Sequence, residues 1–187
     1  MLETLRKQDF DAVYRLMEKS FPRDEYRSYA AQKKLLDHPR YTIYTVSGEE
    51  HAIAAFLAVW EFETFAFIEH FAVDPACRNG GIGSKMLDAL RKLLRKPLCL
   101  EVELPETELS ERRIRFYQRN HFYLNTYQYM QPPLSEEGRA LPLYLMTSDA
   151  AIDEREFAYF KETLYTEVYR VGMSKETGNA SLSDGDN

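Results

Sequence analysis

Seven consecutive residues, Arg78-Asn79-Gly80-Gly81-Ile82-Gly83-Ser84, carry the most specific chemistry in this chain. Glycines let a backbone approach an anion closely and adopt positive φ. The preceding Phe65–Val73 reads as a strand stopped by Asp74-Pro75, and a helix reaching about Lys96 follows. The first-turn amides of such a helix have no intrahelical partner, and its dipole adds positive potential there. Arg78 adds a fixed charge that suits phosphate oxygens. Together these predict a phosphate cradle rather than an ordinary turn. Two other phosphate loops fail on spacing. In Gly83-Ser84-Lys85 the Walker A order of lysine and hydroxyl is reversed. A dinucleotide fingerprint needs a small residue where Met86 stands, and no βαβ unit opens the chain.

Glu69 is the second candidate. It sits in Phe67-Ile68-Glu69-His70-Phe71-Ala72-Val73, a strand otherwise nearly free of charge. A carboxylate there costs desolvation unless it is paired or faces a cleft. Strand alternation puts it on the face of Phe71 and Val73. It is a candidate general base, with a salt bridge or a solvent-facing rung as the alternatives. The four histidines and two cysteines show no metal-ligand spacing, so no metal is expected. Tyr123, Tyr127 and Tyr129 alternate on one strand face and read as packing.

Positioning these groups requires a particular order of elements. Met1–Leu5 suggests a short edge strand, and Asp9 a cap for a helix to about Ser20. A second helix is expected over Asp24–Asp37, ended by His38-Pro39. Tyr41–Val46, His51–Phe62 and Phe65–Val73 read as an antiparallel meander with a turn at Ser47–Glu50. After the glycine loop and its helix comes a strand, Leu98–Leu104. A helical crossover joins parallel strands, so it should lie parallel to Phe65–Val73. Ser110 is expected to cap a short helix ending near Asn120. Two more strands, Phe122–Gln131 and Leu141–Thr147, precede a helix over Asp153–Val171 and a flexible tail over Gly172–Asn187. The expected fold is α+β in α/β/α layers, with one mixed, mostly antiparallel sheet. One domain, residues 1–171, is expected.

Composition narrows the function. The chain has 187 residues, of which 44% are hydrophobic, enough for one packed core. Its 24 Lys and Arg against 30 Asp and Glu give a net charge of -6. That balance argues against nucleic acid as a partner, which calls for clustered positive charge, and leaves room for a cationic acceptor. Two cysteines imply no disulfide framework. The first twenty residues lack the apolar core of a signal peptide, and no stretch approaches a membrane span. A cytoplasmic setting without membrane attachment is the expectation.

Ala72-Val73-Asp74-Pro75-Ala76-Cys77-Arg78-Asn79-Gly80-Gly81-Ile82-Gly83 resembles motif A of the GNAT acyltransferases, with its core [RQ]-x-x-G-x-[GA]. Phe116-Tyr117-Gln118-Arg119-Asn120-His121-Phe122 resembles the family's second signature, F-Y-x-x-x-G-F. The two stand in the family's order, with a helix and a strand between them. His121 replaces the usual glycine, so a positive-φ turn would carry a side chain at some cost.

The resemblance implies an acetyl-CoA-dependent N-acetyltransferase whose two parallel central strands splay apart around the pantetheine arm. It implies that an amide near Phe71 binds the thioester carbonyl and that Ala72 and Val73 present backbone groups to the pantetheine. Arg78, Asn79, Gly80, Gly81, Ile82, Gly83 and Ser84 would hold the pyrophosphate. Tyr117 matches the family's leaving-group acid, and packing is its alternative reading. Ser110 stands where the family often has a cofactor-contacting asparagine. The segment around Glu69 resembles the I-E-D-[IL]-A-V stretch of glucosamine-phosphate acetyltransferases, with His70 in place of the aspartate. Leu100-Glu101-Val102 resembles the L-E-V of ribosomal-protein N-terminal acetyltransferases, whose glutamate is the base. Glu69 and Glu101 are therefore rival bases, and Glu103, on the face of Glu101, could bind an acceptor cation. The acceptor would be a small-molecule or peptide amine, and a homodimer would be in keeping with the family. A catalytically weak acyl-CoA-binding sensor is the alternative function.

Overall fold

β-branched and aromatic residues crowd the chain between Tyr41 and Val73, and in the computed structural model they form the meander. Residues 2–48, 53–134 and 138–170 are described. The turn expected at Ser47–Glu50 lies partly outside them, and the tail 172–187 wholly so. The elements run β1 (Glu3–Thr4), α1 (Phe10–Ser20), α2 (Tyr29–Lys34), β2 (Tyr41–Ser47), β3 (Ile53–Glu61) and β4 (Ala66–Val73). They continue with α3 (Ile82–Leu94), β5 (Leu98–Glu103), α4 (Glu108–Arg119), β6 (Phe122–Gln131), β7 (Leu141–Ser148) and α5 (Glu154–Thr163). A π-helical turn, Leu164–Val168, extends α5.

The sheet order is β1-β2-β3-β4-β5-β7-β6. Among the described strands only β4 and β5 are parallel, as a helical crossover demands, and the other neighbours are antiparallel. Two apolar layers sandwich the sheet. On one face Phe10, Val13 and Met17 of α1 and Phe157 and Phe160 of α5 meet Ile43, Phe56, Trp60 and Phe67. On the other, Met86, Leu87 and Leu90 of α3 and Ile114 and Tyr117 of α4 meet Leu57, Val59, Ile68 and Leu100. The expected α/β/α layering is present.

Two local expectations need correction. The helix expected over Asp24–Asp37 is broken. Arg23–Glu25 forms a 3-10 turn, Tyr26 is extended at φ -146 and ψ 156, and Ser28 caps the short α2. Tertiary demand overrides propensity here, because Tyr26 is buried and Arg27 is drawn to Glu69. Ser110 is not a helix cap. Thr107 caps α4 and Ser110 sits three residues in, completing a reciprocal capping box.

Candidate active site

Strands β4 and β5 pair at Ala66–Leu98, Phe67–Cys99 and Ile68–Leu100, and then part. The cause is visible in β4. Against β3, Ile68 faces Val59 and His70 faces Ala58, so Glu69 is an extra, unpaired residue in a β-bulge. A bulge bends its strand and resets the alternation. Before it, the Ala66 amide bonds the Pro97 carbonyl on the β5 side; after it, the Asp74 amide bonds Ala54 on the β3 side. Counting back by twos from Asp74, Phe71 and Val73 aim their amides into the opening left by β5. Their side chains pack with α3 and α4, whereas Ala72 packs on the opposite layer.

A cleft of ≈ 610 Å³ occupies this opening. Phe71, Ala72, Val73, Arg78, Asn79, Gly81, Ser84 and Tyr117 line it, with Glu69 and Glu101. Ile82 and Gly83 line an adjoining hollow with Arg112 and Phe116. The first turn of α3 borders both, with Ser84 on the cleft and Ile82 and Gly83 on the hollow. Gly81 caps that helix at φ 73, and Asn79 precedes it at φ 69. At Gly83 the constraint is space. A Cβ there would stand 3.1 Å from the Phe116 ring and 3.4 Å from that of Phe71. Arg78 turns its Nε onto the Val73 carbonyl at 3.1 Å, which ties the loop to the end of β4.

The two rival carboxylates differ sharply. Glu69 does not share the face of Phe71 and Val73, because the bulge turns it toward Arg27 on the α1 side. Its side chain is 1% exposed and its Oε1 accepts from Arg27 Nη1 at 2.6 Å. Burial pushes the carboxyl up, but Arg27 and His70 outweigh it and hold it at about 2. Arg27 is itself fixed by Nη2 donating to the Val168 carbonyl at 3.2 Å.

Among the described residues no cationic side chain pairs with Glu101. It accepts from Tyr129, from Gln131 Nε2 at 2.8 Å, and from the Tyr169 hydroxyl at 2.8 and 2.7 Å. Burial dominates and pushes the carboxyl up to about 7, with Glu69's charge adding to the rise and the three donors restraining it. A carboxylate titrating near neutrality is matched to proton transfer at physiological pH.

Tyr117 lies on α4, 7% exposed, in edge contact with Phe116 and Phe122. Burial raises its phenol to about 12 despite the nearby Arg113, so it is held in the proton-donating form. His121 does occupy the positive-φ turn that ends this helix, at φ 63. The Ser110 hydroxyl is 2% exposed and spent within the cap, donating to the Thr107 carbonyl at 2.9 Å and accepting from the Thr107 amide at 3.1 Å. It lines neither the cleft nor the adjoining hollow.

The family model for the Acetyltransferase (GNAT) family matches residues 10–122. The chain belongs to the GNAT family. A GNAT-family protein from Bacteroides thetaiotaomicron, described as an acetyltransferase, superposes with a TM-score of 0.82 at 34% identity, covering 92% of this chain and 99% of that one. YjbC of Bacillus subtilis (strain 168), also described as an acetyltransferase, is 36% identical over 111 residues. That match covers 58% of this chain, which thus spans about half, 55%, of the length of that curated relative. The ribosomal-protein-S18-alanine N-acetyltransferase from Escherichia coli shares the fold, with a TM-score of 0.61 at 21% identity over 82% of this chain and 95% of that one.

Within this GNAT fold, sequence reasoning missed four participants. Arg27 and Tyr169 reach their carboxylates across 42 and 68 residues of chain, and nothing local signals either contact. Gln131 stands at the end of a strand the sequence did identify. Tyr129 belongs to an alternating tyrosine face that reads as packing, yet its hydroxyl goes to Glu101. No helix among the described residues is long and apolar enough to cross a membrane.

Proposed function

We propose that this protein is an N-acetyltransferase that moves acetyl from acetyl-CoA to a primary amine by direct attack. One observation carries the reading: β4 and β5 separate after three paired residues, directly above a helix opened by Gly81. The amides at Phe71 and Val73 suit the thioester carbonyl and the pantetheine, and Ala72 lies between them. Arg78, Asn79 and the backbone of Gly80–Ser84 suit the pyrophosphate. Arg112 adds a cation at the same mouth.

The chemistry then divides between two residues. Glu101 takes the proton that an ammonium acceptor must lose, directly or through a water. The neutral amine attacks the carbonyl carbon, and the oxyanion that forms meets the Phe71 amide. As the C–S bond breaks, Tyr117 gives its proton to the departing thiolate, and the proton that the acylated nitrogen sheds returns through solvent to the Tyr117 phenolate. No acyl-enzyme nucleophile is needed, and Cys77 has no role. Glu69, the rival candidate base, is too acidic at about 2 and locked to Arg27. Its role is to hold the bulge.

The test is free-thiol release from acetyl-CoA over an amine panel, alongside calorimetry with acetyl-CoA alone. Thiol release that depends on an amine supports the reading. Tight binding with no release over the panel would leave only an acyl-CoA-binding module.

A further inference from the structure

A second cavity lies behind the two cleft carboxylates. Its volume is ≈ 460 Å³, within the usual range for a small-molecule site, and it shares no lining residue with the cleft. It is bounded by α2 and the 3-10 turn Leu35–Asp37, by Trp60 of β3, by Pro133 and Leu134 after β6, and by Val168 to Arg170. Two hydrogen-bonded pairs form the partition between the cavities. Arg27 lines the second cavity and Glu69 the cleft, and they meet at 2.6 Å. Tyr169 lines the second cavity and Glu101 the cleft, and they meet at 2.8 and 2.7 Å. Each cleft carboxylate is thus held by a side chain that also borders the second cavity.

The walls of that cavity carry an excess of positive charge. Arg27, Lys34 and Arg170 line it, against the single carboxylate of Asp37, which Lys7 already bonds. Among the described residues no carboxylate pairs with Lys34 or Arg170. Arg27 spends one N–H on Glu69 and one on the Val168 carbonyl, and the rest of its fork has no partner among the described residues. Much of the remaining wall is apolar. Leu35, Pro39, Pro133 and Leu134 surround Trp60, against which the His38 ring packs with centroids 4.9 Å apart. Such a wall selects an anionic head on an apolar body. A cation is repelled, and a small inorganic anion leaves the apolar surface uncovered.

We infer that this cavity is an effector site for an organic anion with an apolar body, and that its occupant acts on acetyl transfer through Arg27 and Tyr169. An anionic head against the free side of Arg27 competes with Glu69 for the guanidinium. The charge of Glu69 opposes ionisation of Glu101, so loosening its partner leaves less of Glu101 ionised near neutral pH. Turnover falls although the occupant touches neither acetyl-CoA nor the amine. The site stands on its own geometry, and its effect on turnover rests on the acetyl-transfer reading above.

Trp60 is the chain's single tryptophan, so occupancy of its wall is read by intrinsic fluorescence. The probes are 4-phenylbutyrate, its neutral amide and acetate. 4-Phenylbutyrate should give a saturable change, the amide should bind several-fold more weakly, and acetate should give no change. At saturating 4-phenylbutyrate, kcat/KM from free-thiol release should fall several-fold. Lys34→Gln and Arg170→Gln change exposed residues outside the cleft. Each should keep the basal kcat/KM, weaken the probe several-fold and blunt its inhibition, which direct competition in the cleft would not show. The inference is overturned by no saturable change, by equal binding of acid and amide, by full binding in both variants, or by kcat/KM unmoved at saturation. A chain that releases no thiol with any amine sinks the acetyl-transfer reading, and the fluorescence titrations still decide whether the site exists.

Discussion

Tyr169 donates its phenol to Glu101, lying 2.8 and 2.7 Å from the two carboxylate oxygens across 68 residues of chain. The π-helical turn Leu164–Val168 delivers it there. The neighbouring Val168 carbonyl holds Arg27, the partner of Glu69. One short segment thus reaches Glu101 directly and Glu69 through Arg27, and it lies beyond residues 10–122 that match the family.

The first prediction concerns that hydroxyl. If Glu101 is the base, kcat/KM rises with pH through about 7. Tyr169→Phe removes a donor that stabilises the carboxylate, so the Glu101 pKa rises further. A hydrogen bond to a charged group contributes about 1.5–3 kcal/mol, so the acid limb should move up by roughly one to two pH units. A merely structural tyrosine would lower Tm and leave the limb in place.

Glu69 should act through stability instead. Its folded pKa, about 2, lies below the ordinary carboxylate value of 4.5. A depressed carboxyl contributes stability that is present above the unfolded value and lost as pH falls toward the folded one. Urea midpoints should therefore fall as pH drops from 5 toward 2, and Glu69→Gln should flatten that slope. Arg27→Met strands the buried charge and should cost about 3–5 kcal/mol near neutral pH. A loss below about 1 kcal/mol would mean that the pair contributes little.

Tyr117→Phe should reduce turnover by roughly ten- to a thousand-fold while acetyl-CoA still binds. Calorimetry and single-turnover thiol release separate the two effects. An unchanged rate removes Tyr117 as the acid.

Gly83→Ala probes the close approach of α3 to its neighbours. The added methyl meets the Phe116 ring at 3.1 Å and must push it or Phe71 aside. Overpacking of this kind costs about 1–3 kcal/mol. Since Phe71 lies on the strand that bounds the opening, acetyl-CoA affinity should fall with Tm. Loss of stability with unchanged affinity would show that the ring moves without disturbing β4.

Legibility in the sequence tracked how local each cause was. The meander, the glycine-opened helix and the parallel neighbours were readable because alternation, caps and crossover rules act within a few residues. The turn at His121 was readable for the same reason. The Glu69 bulge was not, because an extra residue shows itself only against a partner strand; counting straight alternation placed Glu69 on the wrong face. Ser110 misled because a capping box puts hydroxyls at both of its ends, and Thr107 is the true cap. The helix expected over Asp24–Asp37 failed because Arg27 answers to a charge 42 residues away. The Tyr169 and Tyr129 contacts with Glu101 are likewise long-range, and Tyr129 reads as packing from its strand alternation alone.

The most direct test is a crystal structure of the protein with acetyl-CoA. The account predicts the pyrophosphate against the amides of Gly81–Ser84, the thioester carbonyl at the Phe71 amide, and the sulfur within reach of the Tyr117 hydroxyl. Coenzyme bound elsewhere, or β4 and β5 joined along their length with the loop empty, would contradict it.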